Sequence, residues 1–347
     1  MRIGSPKETY AADESLFRTR TQWVWFGILL LSLVLYPFMA NLYWLYLVCL
    51  ICINIISATG LNILTGYTGQ VSLGQAAFMG VGAYTVAWLD NNASTPFIMN
   101  LLAAGAVTTV VGIIAGLPSL RVKGLYLAIA TIAASFILQF IFINWESVTR
   151  GTRGINIEPP TLFGVEFDNP DTFYWLVVPV TVVMLILAAN LFRTRVGRAF
   201  IAIRDRDISA SVLGINLPLY KLMSFAIASF YAGIAGGFYA YFYGSINPES
   251  FPLLMSIFFL AAIIVGGLGT ILGSILGAVF MTLTPELLRY GVDVLEPFVH
   301  DASALLSPVR TMVFGLLIVG FLLFEPHGLA EIWRRIRRFF HLWPFRN

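Results

Sequence analysis

The chain has 347 residues, of which 58% are hydrophobic and only 11% are charged, with a net charge of +3. Soluble domains carry about 25% charged residues, so this composition excludes an ordinary soluble fold and indicates an integral membrane protein. Its three histidines lie far from the apolar stretches, and Cys49 and Cys52 sit in an apolar run where thiols pack as small hydrophobes. We therefore expect no metal site and no cofactor bound by this chain itself.

Residues 1–21 are polar and mixed in charge, without the short apolar core of a cleaved signal peptide. They are predicted to form a cytoplasmic tail. A membrane-spanning helix needs about 20 mainly apolar residues, and residues 22–324 contain about ten such stretches, with a range of 8–11. The predicted class is an all-α integral membrane protein, and the third and eighth spans are expected to be broken or partial. The spans are 22–40, 42–64, 74–89, 97–117, 125–143, 173–192, 219–243, 253–268, 271–289 and 309–324.

The distribution of basic residues predicts the orientation. If both termini are cytoplasmic, the inner segments carry 17 of the 21 Lys and Arg residues, and the outer segments carry only Arg150, Arg153, Arg289 and Arg310. This bias satisfies the positive-inside rule. The spans themselves hold almost no ionisable residues, which argues against a proton-coupled carrier more than against a sodium-coupled one.

The stretch 60–84 places six glycines and several amides inside one of the most apolar parts of the chain. Irregular backbone at membrane depth is tolerated only where protein covers it or where it lines a polar cavity. We therefore predict a broken or re-entrant element over 65–75, beside a substrate pathway. Its predicted lining comprises Thr65, Gly66, Thr68, Gly69, Gln70, Ser72 and Gln75. The alternative is close helix packing through small residues, which we favour for Gly80 and Gly82 and extend to Gly74.

Residues 193–221 form the longest inner loop and contain "RDRDISASVLG". Asp205 and Asp207 suit the positive N-terminal end of a short helix, and Gly214 suits a left-handed cap. Ile208 and Val212 fall on one face, with Leu213 beside them. So short a helix is marginal alone, so it either packs onto its own membrane domain or docks on another protein.

A second glycine-rich stretch, "GGLGTILGSILG" at 266–277, faintly echoes "GYTGQVSLG". Paired interruptions can mark an inverted repeat with a binding site between its halves. Gly266, Gly267, Gly269 and Gly273 are the predicted hinge positions.

Residues 325–347 form a basic, aromatic tail, predicted to be cytoplasmic and to anchor at anionic headgroups. Nothing else in the sequence supports nucleic-acid binding. Paired carboxylates, HExxH and a nucleophile elbow are missing from the spans, which argues against an enzyme. The phosphate-binding GxxxxGK[ST] is also missing, so ATP would have to be hydrolysed by another subunit.

Seven motifs occur in order along the chain: "GLNILTGYTGQVSLGQAAFMGVGAYT" (60–85), "LRVKGLYLAIATIA" (120–133), "VTRGTRGI" (148–155), "RVGRAFIAIRDRDISASVLGIN" (195–216), "KLMSFAIASFYAGIAGGFYAYFYG" (221–244), "VGGLGTILGSILGAVF" (265–280) and "EPHGL" (325–329). With these motifs the chain resembles the permeases of branched-chain amino-acid ABC importers, specifically the larger of two paired membrane subunits. Urea and amide permeases are close relatives of that family.

The resemblance implies a multi-pass subunit of a bacterial inner membrane that pairs with a second homologous permease. It also implies two ATP-binding cassette subunits, which bind ATP and Mg, and a periplasmic binding protein that delivers an amino acid. Alternating access would be driven through the loop 193–221. The residues that match its coupling pattern are Ala202, Arg204, Asp205, Asp207, Ala210 and Gly214. Ile208 and Val212, on the apolar face of the short helix, complete the set predicted to couple to the ATPase.

Three positions depart from the family pattern. Arg150 and Arg153 stand where glycine or a small polar residue is commoner, and Ser274 stands where proline is frequent. The arginine pair would bind the delivery protein's acidic rim or lie in a solvated loop. Other classes left open are an ATP-independent secondary transporter or channel, a scaffolding membrane protein, and urea or amide import.

Overall fold

Helices account for most of the chain that the structure, a computed structural model, describes: residues 20–93, 95–162, 164–295 and 328–342, with isolated positions between 312 and 323. Helices satisfy their backbone groups internally, as an apolar environment requires. They are α1 Arg20–Met39, α2 Leu42–Leu61, α3 Gln75–Ala93, α4 Phe97–Gly116, α5 Leu125–Asn144, α6 Glu146–Thr149, α7 Pro170–Leu191, α8 Arg195–Val212, α9 Leu217–Tyr243, α10 Leu253–Gly266, α11 Ile271–Leu295 and α12 Gly328–Leu342.

Seven helical stretches among the described residues are long and apolar enough to cross a membrane. They are Leu42–Tyr67, Phe97–Leu120, Leu125–Asn144, Pro170–Leu191, Leu217–Tyr243, Pro248–Gly266 and Ile271–Arg289. A shorter apolar stretch, Gly27–Met39, lies within α1. The predicted third span corresponds to α3, which is not among the seven, and the predicted tenth span at 309–324 lies mostly outside the described residues.

Helices α2 and α9 form the centre of the bundle. Helix α2 packs against α7, α9 and α11, and α9 packs against α3 and α4. Glycines allow the α3–α9 contact, because a Cβ at Gly82 or at Gly236 would overlap the backbone of the facing helix at Gly233 or Met79. The resulting apolar core includes Phe200, Phe225, Phe238 and Phe259, all fully buried.

Basic residues gather at one end of the bundle, here called the basic end. The end of α2, the α4–α5 connection, helix α8, the α10–α11 turn and the start of α12 meet there. It holds Arg121, Lys123, Arg193, Arg195, Arg198, Arg204, Arg206, Lys221, Arg334, Arg335, Arg337 and Arg338. The opposite end carries Arg150, Arg153 and Arg289 among the described residues.

Short strands at the opposite end were not predicted. Ile155–Asn156 (β1) pairs antiparallel with Ser245–Ile246 (β4), and Thr161–Leu162 (β2) pairs with Val165–Glu166 (β3). Each strand has two residues. The β1–β4 pair fastens the long α6–α7 connection to the end of α9, so the described part of the fold is helical with two small β contacts.

Helix α12 is amphipathic. Trp333, Ile336 and Phe339 share one face and are each about half exposed, whereas four arginines lie on the other side. This pattern is typical of a helix lying in a membrane interface. At its first residue, Gly328 (φ +71), a Cβ would come within 2.6 Å of the Gly267 backbone nitrogen. The tail therefore begins in close contact with the α10–α11 turn.

Candidate functional site

The helix interruption predicted around residues 65–75 is present. Helix α2 continues as a wide π-helical turn, Asn62–Tyr67, and residues 69–74 are not helical before α3 begins at Gln75. The Gln75 Nε2 donates to the Ser57 carbonyl (2.9 Å). Ser57 lies ten residues before Tyr67, or about 15 Å along a helix. The segment after the π turn therefore runs back into the bundle.

The five polar side chains predicted to line a pathway, Thr65, Thr68, Gln70, Ser72 and Gln75, are all buried. Their bonds go to neighbouring protein groups. Thr65 Oγ1 donates to the Gln70 carbonyl (3.1 Å), Thr68 Oγ1 donates to the Leu64 carbonyl, and Gln70 Nε2 donates to Ser224 Oγ (2.7 Å). In this conformation these side chains hold the interruption in shape, and Thr68 and Gln70 also border a cleft. Their contact with substrate stays a prediction.

Hydroxyl groups on two other helices satisfy backbone groups of the interruption and of the first turn of α3. Thr131 Oγ1 accepts from the Leu73 N–H (2.9 Å), and Ser135 Oγ donates to the Leu73 carbonyl (3.3 Å). Ser256 Oγ accepts from the Ala76 N–H (2.9 Å). The sequence analysis missed these three residues. In the sequence, each of them is only a hydroxyl residue within an apolar span. Many such hydroxyls instead bond to a carbonyl one turn earlier in their own helix.

Asn62 joins the two glycine-rich stretches. Its Nδ2 donates to the Thr270 carbonyl and to Ser274 Oγ (both 2.8 Å), and its Oδ1 accepts from the Gly269 N–H (2.9 Å). Ser274, where the family more often has proline, is thus a partner of this amide. The π turn and the α10–α11 turn are held together by one side chain.

Glycine is required where these two stretches meet. A Cβ at Gly66 would overlap Asn62 Oδ1 and the Gly269 nitrogen, and Gly269 has a φ of +71. The other predicted hinge or packing glycines also lie in close contacts. A Cβ at Gly74 would come within 3.2 Å of Phe78, and a Cβ at Gly80 would come within 2.7 Å of Phe142. A Cβ at Gly82, Gly266 or Gly273 would overlap facing backbone. Gly267 adopts a φ of +123.

Arg204 of helix α8 reaches this junction. Its Nη1 donates to the Gly66 carbonyl (2.8 Å), and a Cβ at Gly269 would come within 2.6 Å of the same nitrogen. Gly69 (φ +70) leaves room for the arginine stem, which a Cβ there would approach to 3.1 Å. We call Asn62, Gly66, Arg204 and Gly269 the junction cluster. It brings together residues predicted separately for the coupling loop, the pathway and the hinge.

Helix α8 bends at Arg206, whose backbone (φ −156, ψ 101) is not helical. Before the bend, Phe200 and Ile203 are buried, Ala202 is half-buried, and Asp205 is exposed. At the bend, Asp207 forms an ion pair with Lys123 of the α4–α5 connection. The Lys123 ammonium and the Ile208 N–H hold the pKa of the Asp207 carboxyl below its usual value.

After the bend, the short helix turns an apolar face away from the bundle. Ile208, Val212 and Leu213 are 75%, 82% and 80% exposed, whereas Ala210 is buried against the protein. Gly214 (φ +85) ends the helix in the left-handed conformation, and its N–H donates to the Ser211 carbonyl (3.0 Å). The three exposed side chains are called the apolar triad. The sequence left two alternatives for this short helix, packing onto its own membrane domain or docking on another protein. The apolar triad does not pack onto its own domain.

Within the described residues, no group of three or more His, Cys, Asp or Glu side chains could hold a metal ion. Cys49 and Cys52 are buried and free. The chemistry of the site therefore consists of amide, hydroxyl, ammonium and guanidinium hydrogen bonds around an interrupted helix.

Comparison with known proteins identifies the family. Residues 43–322 match the family model described as "Branched-chain amino acid transport system / permease component". The chain belongs to this family. No solved structure matches it.

Relatives of two kinds are similar to the chain. The permease protein LivM of the high-affinity branched-chain amino acid transport system of Salmonella typhimurium is 32% identical over 88% of this chain and 74% of its own length. LivM of Escherichia coli K12 is 31% identical over the same shares. LivH of Salmonella typhimurium is 27% identical over 73% of this chain and 80% of its own length. The predicted resemblance to the branched-chain amino-acid permeases is confirmed, and the LivM matches fit the predicted larger subunit.

Proposed function

We propose that this chain is a membrane-spanning subunit of an ATP-driven importer, carrying branched-chain or related amino acids from a periplasmic binding protein to the cytoplasm. The names of the LivM and LivH relatives support the substrate class. Similarity to both kinds of permease supports pairing with a second, homologous permease subunit. Two ATP-binding cassette subunits would bind ATP and Mg and hydrolyse the nucleotide.

The observation that carries this proposal is the contrast within helix α8. The apolar triad is exposed after the bend, while Arg204, before the bend, is bonded to the π turn. Fully burying one such apolar side chain contributes about 1.5–3 kcal/mol, so docking of the triad on a partner is favourable. We assign the triad to docking on the ATPase and Arg204 to transmission.

The junction cluster gives the motion a route into the bundle. When the ATPase subunits close, they displace the short helix after Arg206. Arg204 passes that displacement to the Gly66 carbonyl, and Asn62 passes it on to the α10–α11 turn. Two interrupted helices would thereby move together, as alternating access requires. Thr68, Gly69 and Gln70, which border the cleft beside Arg204, belong to the segment that would change shape.

The orientation follows from charge. The basic end would face the cytoplasm, with about ten spans and both termini inside a bacterial inner membrane. Helix α12 would lie among the cytoplasmic headgroups, with its arginines toward anionic lipid. Arg150 and Arg153 would then face the periplasm.

A substitution in the apolar triad tests the docking role. Ile208→Asp combined with Val212→Asp should lower amino-acid-stimulated ATP hydrolysis in proteoliposomes at least tenfold and abolish copurification of the ATPase. Thermal unfolding of the permease should not change, because both side chains are exposed. Ile208→Met combined with Val212→Leu keeps the face apolar and serves as the control.

Unaltered ATP-driven uptake by the double aspartate variant would refute the docking role. Uptake that continues in vesicles without any ATPase subunit would instead support an ATP-independent carrier or channel. Competition by leucine, isoleucine, valine, urea and short amides against the bound solute would define the substrate class.

A further inference from the structure

A cleft of about 240 Å³ lies at the basic end between helix α8 and the bundle. One wall belongs to the interruption after α2 and to the α4–α5 connection, and the other belongs to α8 and the start of α9. Its lining residues are Thr68, Gly69, Gln70, Ser119, Val122, Lys123, Gly124, Leu127, Ile203, Arg204, Asp205, Arg206, Asp207 and Lys221.

Lys221 is the unusual member of this lining. It is only 7% exposed, its ammonium makes no ion pair and no hydrogen bond among the described residues, and the ammonium nitrogen keeps its remaining solvent contact beside the cleft. Lysines are almost never buried unless they are paired, and burying an unpaired charge is costly. Asp207, whose negative charge acts on the Lys221 ammonium, already forms an ion pair with Lys123.

Two further polar atoms of the lining residues lack partners. Gln70 Oε1 and Ser119 Oγ are enclosed and make no hydrogen bond, so a solute in the cleft reaches them only when the adjoining walls shift slightly. Buried polar groups in native proteins are nearly always satisfied. Lys221 and the Ser119 hydroxyl are hydrogen-bond donors, and Gln70 Oε1 is an acceptor. The lining groups without a partner therefore include both donors and an acceptor.

The rest of the lining adds charge and an apolar wall. Four basic side chains face two acidic ones around the cleft, which favours a ligand with an anionic group. Val122, Leu127 and Ile203 supply aliphatic contact surface. The volume is below the roughly 300–1,000 Å³ of sites for drug-sized ligands, so the cleft suits a small solute.

We propose that this cleft binds a zwitterionic aliphatic α-amino acid from the cytoplasmic side. Lys221 and Ser119 bind the carboxylate, Gln70 Oε1 accepts from the ammonium group, and the aliphatic wall packs against the side chain. The inference rests on the proposed function for its orientation and ligand class. It adds a site within this chain at which the transported solute itself is recognised.

Occupation of the cleft has a mechanical consequence. A solute there touches Gln70 on the bundle side and lies beside Arg204 and Asp207 on the α8 side. It therefore opposes relative movement of the two walls, which the transport cycle needs. Amino acid accumulated in the cytoplasm slows further import.

Direct binding tests the site. The complete purified transporter, without the periplasmic binding protein, should bind radiolabelled leucine saturably in equilibrium dialysis. Leucinamide, which lacks the carboxylate, and 4-methylpentanoate, which lacks the ammonium group, should each compete at least tenfold more weakly. Equal competition by either analogue, or the absence of saturable binding because water alone fills the cleft, overturns the proposal.

Substitutions assign the binding to this cleft. Lys221→Met should weaken leucine binding about tenfold or more without lowering thermal stability, because it removes a charge that has no partner among the described residues. Ser119→Ala should weaken binding by a smaller factor. Arg121→Met removes a basic charge from the same end outside the cleft and should bind leucine normally. Unchanged binding by Lys221→Met overturns the proposal.

Transport measurements separate this inference from the proposed function. In proteoliposomes, leucine added only on the ATPase side should lower ATP hydrolysis of the wild-type transporter and should have little effect on Lys221→Met. If ATP-driven leucine uptake is normal and added leucine has no effect, this inference fails alone. If no ATP-driven uptake of any amino acid occurs, the proposed function fails.

Discussion

The two ends of the molecule are built differently. At the basic end, helices are interrupted and cross-bonded, and Arg204 donates to a backbone carbonyl of another element. At the opposite end, Arg150 and Arg153 are exposed beside an open cavity of about 380 Å³, and two-residue strands hold the loops. The basic end is suited to transmitting displacement between elements, and the opposite end is suited to contact with a separate molecule.

This difference predicts different consequences of substitution. Changes within the junction cluster should lower stability and transport together, because the same contacts hold the fold and carry the motion. Changes among the exposed arginines should alter only the interaction with the proposed periplasmic binding protein. Four substitutions, from the largest expected effect to the smallest, test this division.

Gly66→Ala should have the largest effect. The added methyl would overlap Asn62 Oδ1 and the Gly269 nitrogen, and overpacking costs about 1–3 kcal/mol even without such a backbone clash. We expect a lower unfolding temperature of the purified permease and at least tenfold slower uptake. Gly27→Ala is the control, since nothing lies within 4 Å of its added Cβ. A stable, fully active Gly66→Ala variant would show that the close contact is dispensable.

Asn62→Leu should follow. It leaves the Gly269 N–H without its acceptor and removes the bonds to the Thr270 carbonyl and Ser274 Oγ, and an unsatisfied buried group costs about 1–3 kcal/mol. Asn54→Leu is a matched control on the same helix, because Asn54 is equally buried but makes one side-chain bond, to Thr282 (2.9 Å). Thermal unfolding should show the larger loss for Asn62. Equal losses would mean that the amide has no special role in joining the two turns.

Arg150→Gly should separate stability from transport at the opposite end. Arg150 has a φ of 55, the only left-handed non-glycine backbone among the described residues, and glycine adopts this conformation without strain. Unfolding temperature should be unchanged or slightly higher. The KM for the loaded binding protein should rise about three- to tenfold with kcat unaltered, and Arg153→Gln should act similarly. An unchanged KM in both variants would mean that these arginines lie in a solvated loop and do not contact the binding protein.

The Lys123–Asp207 ion pair should have the smallest effect, because Lys123 is 65% exposed in its side chain and such pairs contribute about 0–1 kcal/mol. The lowered pKa of Asp207 means that this contribution is present above the ordinary aspartate pKa of about 3.9. It is lost as the pH falls through the lowered value. Thermal unfolding of wild type and Lys123→Met should therefore differ slightly at pH 7 and converge below about pH 4. A difference that grows on acidification would contradict this assignment.

Sequence alone predicted features that depend on local composition. Glycines and amides in an apolar run predicted the interruption near Gly66, and Asp207 and Gly214 predicted a short helix with a left-handed cap. The apolar face at Ile208 and Val212 was also visible. Each of these signals lies within about ten residues, where backbone preference and side-chain spacing act directly.

Contacts between distant segments were not predictable in this way. Asn62 and Gly269 are 207 residues apart, and no local pattern states that they bond. The sequence also left open whether Arg204 points toward a partner or toward its own bundle. That direction depends on the bend at Arg206 and on the space that Gly69 and Gly269 leave for the side chain. Only the packed structure shows that bend and that space.

The wide turn at Asn62–Tyr67 has a consequence for how α2 moves. A π turn holds one residue more than the α-helical turn it replaces, so the end of α2 carries a spare residue within a continuous helix. Tightening that turn would advance the following backbone by about 1.5 Å and rotate it by about 100°, with no helix broken. The Gly66 carbonyl would then leave Arg204, and a small displacement at the basic end would become a discrete change of register within the bundle.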